Sequence, residues 1–481
     1  MSHAIGPTAE HASSVDAAAQ AALEAFAGTR AATDEQRASW LRGIADELDA
    51  NVEELVSLAD EETHLGPARL TGEVARTTGQ LRMFASVIEE GSYLEATIDH
   101  GASDAVPPRP DLRRILIPVG PVAVYAASNF PFAFSVAGGD TASALAVGCP
   151  VVVKAHPGHP RLSRRTAELV AGALERAGAP DGTFSLVEGF DAGVELVEHP
   201  AIAAASFTGS VAGGRALFDR ASARPEPIPF YGELGSINPV VVTPAADAAR
   251  GEALAAGLAA SFQLGVGQFC TKPGVVLVPR GSQLEAAIAR HVTAPAHAML
   301  SDAIADRFGD GLIALAAREG VDVIAGDAEQ GIPSVLATDS AAARAASAAF
   351  FEEVFGPVTL LVRYDDMPDA VRTLSAMGGS LTVTVHAEPE EDVSALVDVA
   401  SHRAGRVLFG GWPTGVAVTW SQHHGGPYPA TTSLHTSVGA TAVRRFQRPI
   451  AFQDAPQRVL PDVLRDSPTR RVPRRVDGAL A

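Results

Sequence analysis

From residue 115 to residue 209 the chain alternates short apolar runs with stretches patterned as helices. ILIPVGPVAVYAA (115–127) has strand character, broken at the Pro118–Pro121 turn, and 134–147 is small and apolar, as in a buried helix. VVVKA (151–155) is a β-branched run, 161–177 reads as a helix, FSLVEG (184–189) as a strand and 191–198 as a short helix. AIAAASFTG (201–209) is a further strand that stops at Gly209. Strand–helix–strand repeats at this spacing predict a parallel, doubly wound α/β sheet. The pattern restarts at 239–243, with a helix over 247–264 and strands at 275–278, 321–324, 358–363 and 381–385, so a second α/β unit is expected from about 236 to 420. Ahead of the first unit, 15–58 and 66–90 carry apolar residues at helical spacing. From 427 onward the chain is rich in Pro, Thr, Ser and Arg.

In 115–153 Asp140 is the only charge, but Pro118, Pro121, Pro131 and Pro150 interrupt the stretch. A spanning helix needs ~20 continuous apolar residues, so this is a buried core and no membrane association is expected. The N-terminal MSHAIGPTAEHASS lacks a charged-then-apolar leader pattern, and the two cysteines, Cys149 and Cys270, suit a reducing compartment. A cytoplasmic protein is expected. Two cysteines also exclude a disulfide scaffold or a Cys-rich metal site. A net charge of −19 argues against nucleic acid as a partner. All but two of the 37 basic residues are Arg; Lys154 and Lys272 are the exceptions.

The common phosphate-loop, G-x-S-x-G, H-E-x-x-H, C-x-x-C and G-x-G-x-x-G patterns are absent. His423 and His424 are adjacent, which suits a shared metal poorly, and they read as a solvated loop; no metal is expected. What remains is a scattered set. Cys270 lies in GVGQFCTKPG (265–274), Glu233 in YGELGSINP (231–239) and Asn129 in ASNFP (127–131). Each sits in a Gly- or Pro-rich junction at the end of an element, where open α/β folds carry catalytic groups. A thiol, a carboxylate and an amide are the parts for attack on a carbonyl. Cys149, before Pro150 and a core strand, reads as structural.

SNFPFAFS (128–135), VVVKAHP (151–157), FTGSVAGG (207–214), ELGSINPV (233–240), GQFCTKPG (267–274) and EEVFGPV (352–358) occur in an order and spacing that resembles the aldehyde dehydrogenase superfamily over nearly the whole chain. Residues 61–85, 109–160, HGGPYPATT (424–432) and TSVG (436–439) are most similar to its 2,5-dioxovalerate (α-ketoglutarate semialdehyde) dehydrogenase group.

The resemblance implies two doubly wound parallel-sheet domains plus a β-arm. It divides the chain into a dinucleotide-binding domain (1–96 and 116–235), a catalytic domain (236–425), an oligomerisation arm (97–115 with 426–445) and a C-terminal extension (446–481) packing on the body. It implies a homodimer or homotetramer. It makes Cys270 the nucleophile, Asn129 the oxyanion donor with the Cys270 backbone N–H, and Glu233 the base that activates the deacylating water. For NAD or NADP it implies Lys154 at the adenosine ribose and any 2′-phosphate, with Ser128 and His156 beside it. Gly209, Ser210 and Gly214 would take the pyrophosphate, Glu353 and Phe355 the nicotinamide end, and Leu234 is a further cofactor-binding residue. Ser128 replaces the family's usual Trp, and Pro157 replaces a Glu that would repel a 2′-phosphate, which favours NADP. The implied reaction is oxidation of a small semialdehyde to its acid. A CoA-acylating or acyl-phosphate reductase, or a broad-range aldehyde dehydrogenase, stays open, as does the Arg that would hold a distal carboxylate.

Overall fold

The structure, a computed structural model, describes residues 9–295 and 297–481; the N-terminal stretch read for a leader begins outside them. The chain opens with helices Ala9–Ala31, Asp34–Ala50, Val52–Thr63 and Pro67–Glu90. Their boundaries follow local chemistry. Thr33 and Gln36 form a reciprocal capping box, Pro67 starts the fourth helix and Gly91, at φ 91°, ends it. This fourth helix buries Leu70, Val74, Leu81, Phe84 and Ile88, while Arg69, Glu73 and Arg76 follow one another at helical spacing beside that face.

The first sheet is parallel. Its spatial order is Phe184–Val187, Val151–Lys154, Val122–Tyr125, Ala204–Thr208, Phe230–Glu233. The chain therefore builds outward from Val122–Tyr125, then returns to its other side with Ala204–Thr208. The order reverses between those two strands, and doubly wound sheets bind ligands outside the carboxyl ends of strands at such a point. Ala126–Asn129 and Gly209–Ser210 leave the sheet there. Asp140, alone in its apolar stretch, is satisfied by a buried ion pair with Arg445 at 2.6 Å.

The second sheet has seven strands, in the order Asp322–Ala325, Ser334–Asp339, Val358–Tyr364, Val275–Pro279, Val240–Val242, Ser380–His386, Ala404–Phe409. Only the first pair is antiparallel. Ser334–Asp339 and Ala404–Phe409 are strands that the sequence pattern does not announce. The first ends in an Asp that leads straight into an Ala-rich helix, and the second carries Gly405 and Arg406 among its apolar residues. Neither therefore shows a clean strand period.

A third, five-stranded sheet differs from the expected arm. Leu112–Pro118 pairs antiparallel with Gln447–Gln453, and Thr97–Asp99 joins them to Arg475–Val476 and Ala479–Leu480. The strand partner thus comes from the segment expected to be a C-terminal extension. Residues 426–445 instead form turns and a short 3-10 helix, Ala440–Phe446. Gln447–Gln453 lies at the sheet edge, where the missing N–H of Pro449 is tolerated. Among the described residues no helix is long and apolar enough to cross a membrane.

Candidate active site

Glu233 ends the strand Phe230–Glu233, and its backbone is fixed on two sides. Its carbonyl accepts from Gly209 N at 3.0 Å, and the next amide, Leu234 N–H, donates to Ala430 O at 2.8 Å. Cys270 follows a tight turn at 264–267 in which Gly267 takes φ 67°. A Cβ on Gly267 would run into the backbone of Gly356, so this glycine lets the cysteine loop lie against EEVFGPV. Two buried side chains hold the same loop. Asn238 Nδ2 donates to Cys270 O at 2.8 Å and Lys272 O at 3.0 Å, while Lys272 Nζ donates to Val354 O at 3.0 Å and Val358 O at 2.8 Å. Lys272 thereby ties the thiol loop to the segment that carries Glu353 and Phe355.

Asn129 donates its side-chain amide to Gln268 O at 3.1 Å, which places it beside the cysteine loop. The Cys270 N–H donates to no backbone carbonyl among the described residues. The loop carrying Ser128 and Asn129 is steadied from behind, because the buried His159 hydrogen-bonds Ala127 O through Nε2 at 2.9 Å.

His424 overturns its reading as a solvated loop residue. Its side chain is 1% exposed, its Nε2 lies 3.0 Å from Glu233 Oε1 and 3.6 Å from Cys270 Sγ, and its own backbone N–H donates to Thr436 Oγ1 at 2.8 Å. Ser437 donates to Glu233 Oε2 at 2.6 Å. The turns from 424 to 437 thus fold back over the end of the first sheet, and their backbone bonds bury what composition alone made look wet. Both residues lie in HGGPYPATT and TSVG, so the signal was present as motifs without a period.

Burial alone would push the Glu233 carboxyl up; the His424 imidazole, the Ser437 hydroxyl and the Cys270 thiol outweigh it and hold the group below its ordinary value. Burial and the Glu233 charge push the Cys270 thiol well above its ordinary value. The resting pair is therefore a thiol beside a carboxylate, with a proton acceptor already in place. Cys149 is fully buried, and burial pushes its thiol up to about 11, as suits a structural cysteine.

Two arginines reach this site from the fourth helix. Arg69 stacks over Phe130 at 5.2 Å and Phe269 at 4.8 Å and donates to Asn129 O at 2.6 Å. Arg76 stacks over Phe130 at 5.7 Å and Phe134 at 5.4 Å. Burial lowers the Arg76 guanidinium against the opposing charges of Cys270, Glu73 and Glu233. Glu73 lies between them in sequence, with Oε1 taken by the backbone N–H groups of Phe132 and Ala133. Arg69 Nη1 and Arg76 Nε and Nη2 are buried without a hydrogen-bond partner.

The residues expected to hold the cofactor lie around the point where the first sheet reverses. Lys154 ends its strand, half-buried against Gly193 and Tyr125, and its ammonium has no hydrogen-bond or ion-pair partner among the described residues. Burial brings the neighbouring His156 imidazole down to about 3, so it is neutral, and it accepts from Gly158 N at 3.0 Å. Ser210 caps the helix Val211–Ala223. A Cβ on Gly209 would meet the Phe207 ring at 2.7 Å, and one on Gly214 would collide with Leu234. Across the cleft Glu353 accepts from Ser236 N at 3.3 Å, and burial pushes it up to about 7 against the pull of Lys272. The side-chain-free glycines at a helix N-terminus and the unpaired Lys154 fit a dinucleotide with its phosphates at that helix.

The sequence profile of the aldehyde dehydrogenase family matches residues 4–430. The chain belongs to the aldehyde dehydrogenase family. It is an oxidoreductase that acts on aldehydes, and its family uses a nicotinamide dinucleotide. Among curated proteins it is 47% identical over 478 residues to alpha-ketoglutaric semialdehyde dehydrogenase 2 of Azospirillum brasilense, covering 96% of this chain and 91% of that protein. It is 44% identical over 483 residues to alpha-ketoglutaric semialdehyde dehydrogenase of Acinetobacter baylyi, covering 97% and 91%. Among solved structures it matches a mutant of aldehyde dehydrogenase C of Pseudomonas syringae, complexed with NAD+ and octanal. That match has a TM-score of 0.76 and 26% identity, and covers 93% of this chain and 90% of that one.

Proposed function

We propose that this aldehyde dehydrogenase oxidises a small semialdehyde bearing a carboxylate, of the α-ketoglutaric semialdehyde type, to the dicarboxylic acid. The observation that carries this reading is the pair Arg69 and Arg76. Arg69 Nη1 and Arg76 Nε and Nη2 are buried without a hydrogen-bond partner among the described residues, and the Arg76 charge is within electrostatic reach of the thiol. Buried donors without acceptors are costly, and a carboxylate is the ligand that two guanidinium forks match best. The names of the curated relatives point to the same substrate.

In this reading Cys270 attacks the aldehyde carbon and passes its proton to Glu233, which releases it to solvent and returns to the carboxylate before deacylation. The Asn129 amide and the Cys270 N–H receive the oxyanion of the thiohemiacetal. A bound nicotinamide supplies the hydride acceptor. Glu233, kept ionised by His424 and Ser437, then takes a proton from the water that hydrolyses the thioester. A base committed to water favours hydrolysis over transfer to CoA or phosphate. For the cofactor, Lys154 takes the adenosine ribose and 2′-phosphate, Ser210 and the glycines the pyrophosphate, and Glu353 and Phe355 the nicotinamide end. Lys154 with Pro157 favours NADP. Among the described residues no strand pairs with either edge of the third sheet, and we propose that these edges pair chains into a dimer or tetramer.

The test compares kcat/KM for α-ketoglutaric semialdehyde and for pentanal, an aldehyde of equal length without the carboxylate. The expected preference is at least about tenfold to a hundredfold, the worth of a charge-assisted contact of ~1.5–3 kcal/mol. Equal values would remove the carboxylate from the recognition.

A further inference from the structure

The Cys270 thiol, the His424 imidazole and the Glu233 carboxylate converge from three distant segments so closely that one ligand atom from each lies within 4.8 Å of the others. Among the described residues no other group of three potential ligands does so.

We propose that Cys270, His424 and Glu233 bind one soft divalent cation, Zn2+ or Cd2+, and that the bound ion reversibly silences the nucleophile. Tetrahedral zinc with ordinary bond lengths separates a sulfur from a nitrogen ligand by ~3.5 Å and a nitrogen from an oxygen ligand by ~3.3 Å. Here the Sγ–Nε2 distance is 3.6 Å and the Nε2–Oε1 distance 3.0 Å. These two spacings need shifts of a few tenths of an ångström, and the sulfur and carboxylate oxygen, which lie within 4.8 Å, close to the ~3.6 Å of tetrahedral zinc as the ion enters.

The donor set selects the metal: thiolate and imidazole suit zinc or cadmium and suit magnesium or calcium poorly. Ser437, on Glu233 Oε2, fixes the carboxylate and leaves Oε1 to the ion, as supporting partners do in metal sites. Binding exchanges protons for metal. The thiol releases its proton as the S–metal bond forms, and the proton that His424 Nε2 holds toward Glu233 leaves to solvent, so that the imidazole binds through Nε2 with its remaining proton on Nδ1. Three protein ligands leave a fourth position for water. The aldehyde carbon then has no free sulfur lone pair to meet, so turnover stops until the ion leaves.

The site rests on the placement of three side chains and not on which aldehyde is oxidised. Only the inhibition readout depends on Cys270 being the nucleophile, so binding is measured directly as well. Full-length protein is stripped with EDTA and titrated with Zn2+ against a chromophoric chelator, and separately with Co2+. One ion per chain is expected, together with a thiolate-to-cobalt charge-transfer band and tetrahedral visible bands. Zn2+ should also protect Cys270 from iodoacetamide, and EDTA should restore turnover. His424→Gln, checked for folding by its melting temperature, should weaken Zn2+ binding by at least about tenfold. Cys270→Ser should remove the charge-transfer band.

Equal zinc affinity in wild type and His424→Gln would overturn the proposal, as would a cobalt spectrum without the thiolate band. Zinc bound with that signature but leaving turnover intact would keep the site and sink the role of Cys270 as nucleophile.

Discussion

His424 presents Nε2 to Glu233 Oε1 at 3.0 Å, with the two side chains 1% and 3% exposed. A carboxylate this deep is driven toward its neutral form by burial, and the imidazole is the largest influence opposing that. The sign of the pH effect follows. Glu233 has a lowered pKa, so the base is present above that value and lost as pH falls through it. Taking away His424 lets burial dominate and raises the value. His424→Gln should therefore move the acid limb of the kcat profile to higher pH, by about one pH unit or more. Purely structural damage would lower kcat at every pH without moving the limb.

Glu233→Gln separates acylation from deacylation. Hydride transfer precedes the step that needs the water base, so the variant should still give a burst of reduced cofactor, slower than in wild type because the thiol has lost its proton acceptor, followed by turnover slowed about 100-fold or more. Rapid-mixing absorbance reads both phases. A burst lost in proportion to turnover would make Glu233 essential as the acceptor of the thiol proton.

Cys270→Ala should abolish aldehyde oxidation and leave the melting temperature and dinucleotide binding unchanged, because its side chain is partly exposed at the site rather than a core contact. Residual kcat above a few per cent would remove it as nucleophile. Cys149 serves as the internal control, since alkylation of native protein should not reach it.

Much of the fold and part of the site were legible in the sequence. VVVKA, FSLVEG and AIAAASFTG announce strands because a parallel sheet covered on both faces needs continuous apolar runs. Cys270, Glu233 and Asn129 stand at the ends of such elements. His424 and Ser437 were not legible, because a Gly-, Pro- and Thr-rich return segment has no period from which to read which side is buried. Composition made it look solvated, whereas its backbone bonds back to strand Phe230–Glu233 bury it. Arg69 and Arg76 were hidden differently. Arg is so common here that no single one stands out, yet Arg69, Glu73 and Arg76 share one side of a helix that the pattern did predict.

Those arginines divide binding from chemistry. Arg76 lies over the Phe130 and Phe134 rings with Nε and Nη2 unpartnered among the described residues, so Arg76→Met should raise KM for the carboxylated semialdehyde about tenfold to a hundredfold. It should change kcat/KM for pentanal by no more than a few-fold. Arg69 also holds Asn129 O, so Arg69→Met should lower kcat for both aldehydes. Equal losses on both substrates in Arg76→Met would mean that the guanidinium supports the thiol and not the substrate.

Cofactor choice turns on Lys154. It leaves the inner strand Val151–Lys154 at the carboxyl edge of the first sheet, one strand away from where the order reverses, and no acidic partner claims its ammonium among the described residues. Burial pulls it below its ordinary value, which a phosphate would reverse by restoring a counter-charge. A compact ammonium suits one phosphate oxygen, and with Pro157 in place of an acid nothing opposes that phosphate. A charge-assisted contact of ~1.5–3 kcal/mol corresponds to roughly ten- to a hundredfold in affinity. Lys154→Ala should thus raise KM for NADP by about that factor while KM for NAD rises only a few-fold, since NAD loses no more than a ribose contact. The ratio of kcat/KM for NADP over NAD, in wild type and variant, decides the matter. A ratio that does not change would confine Lys154 to the ribose and leave NAD as the better cofactor.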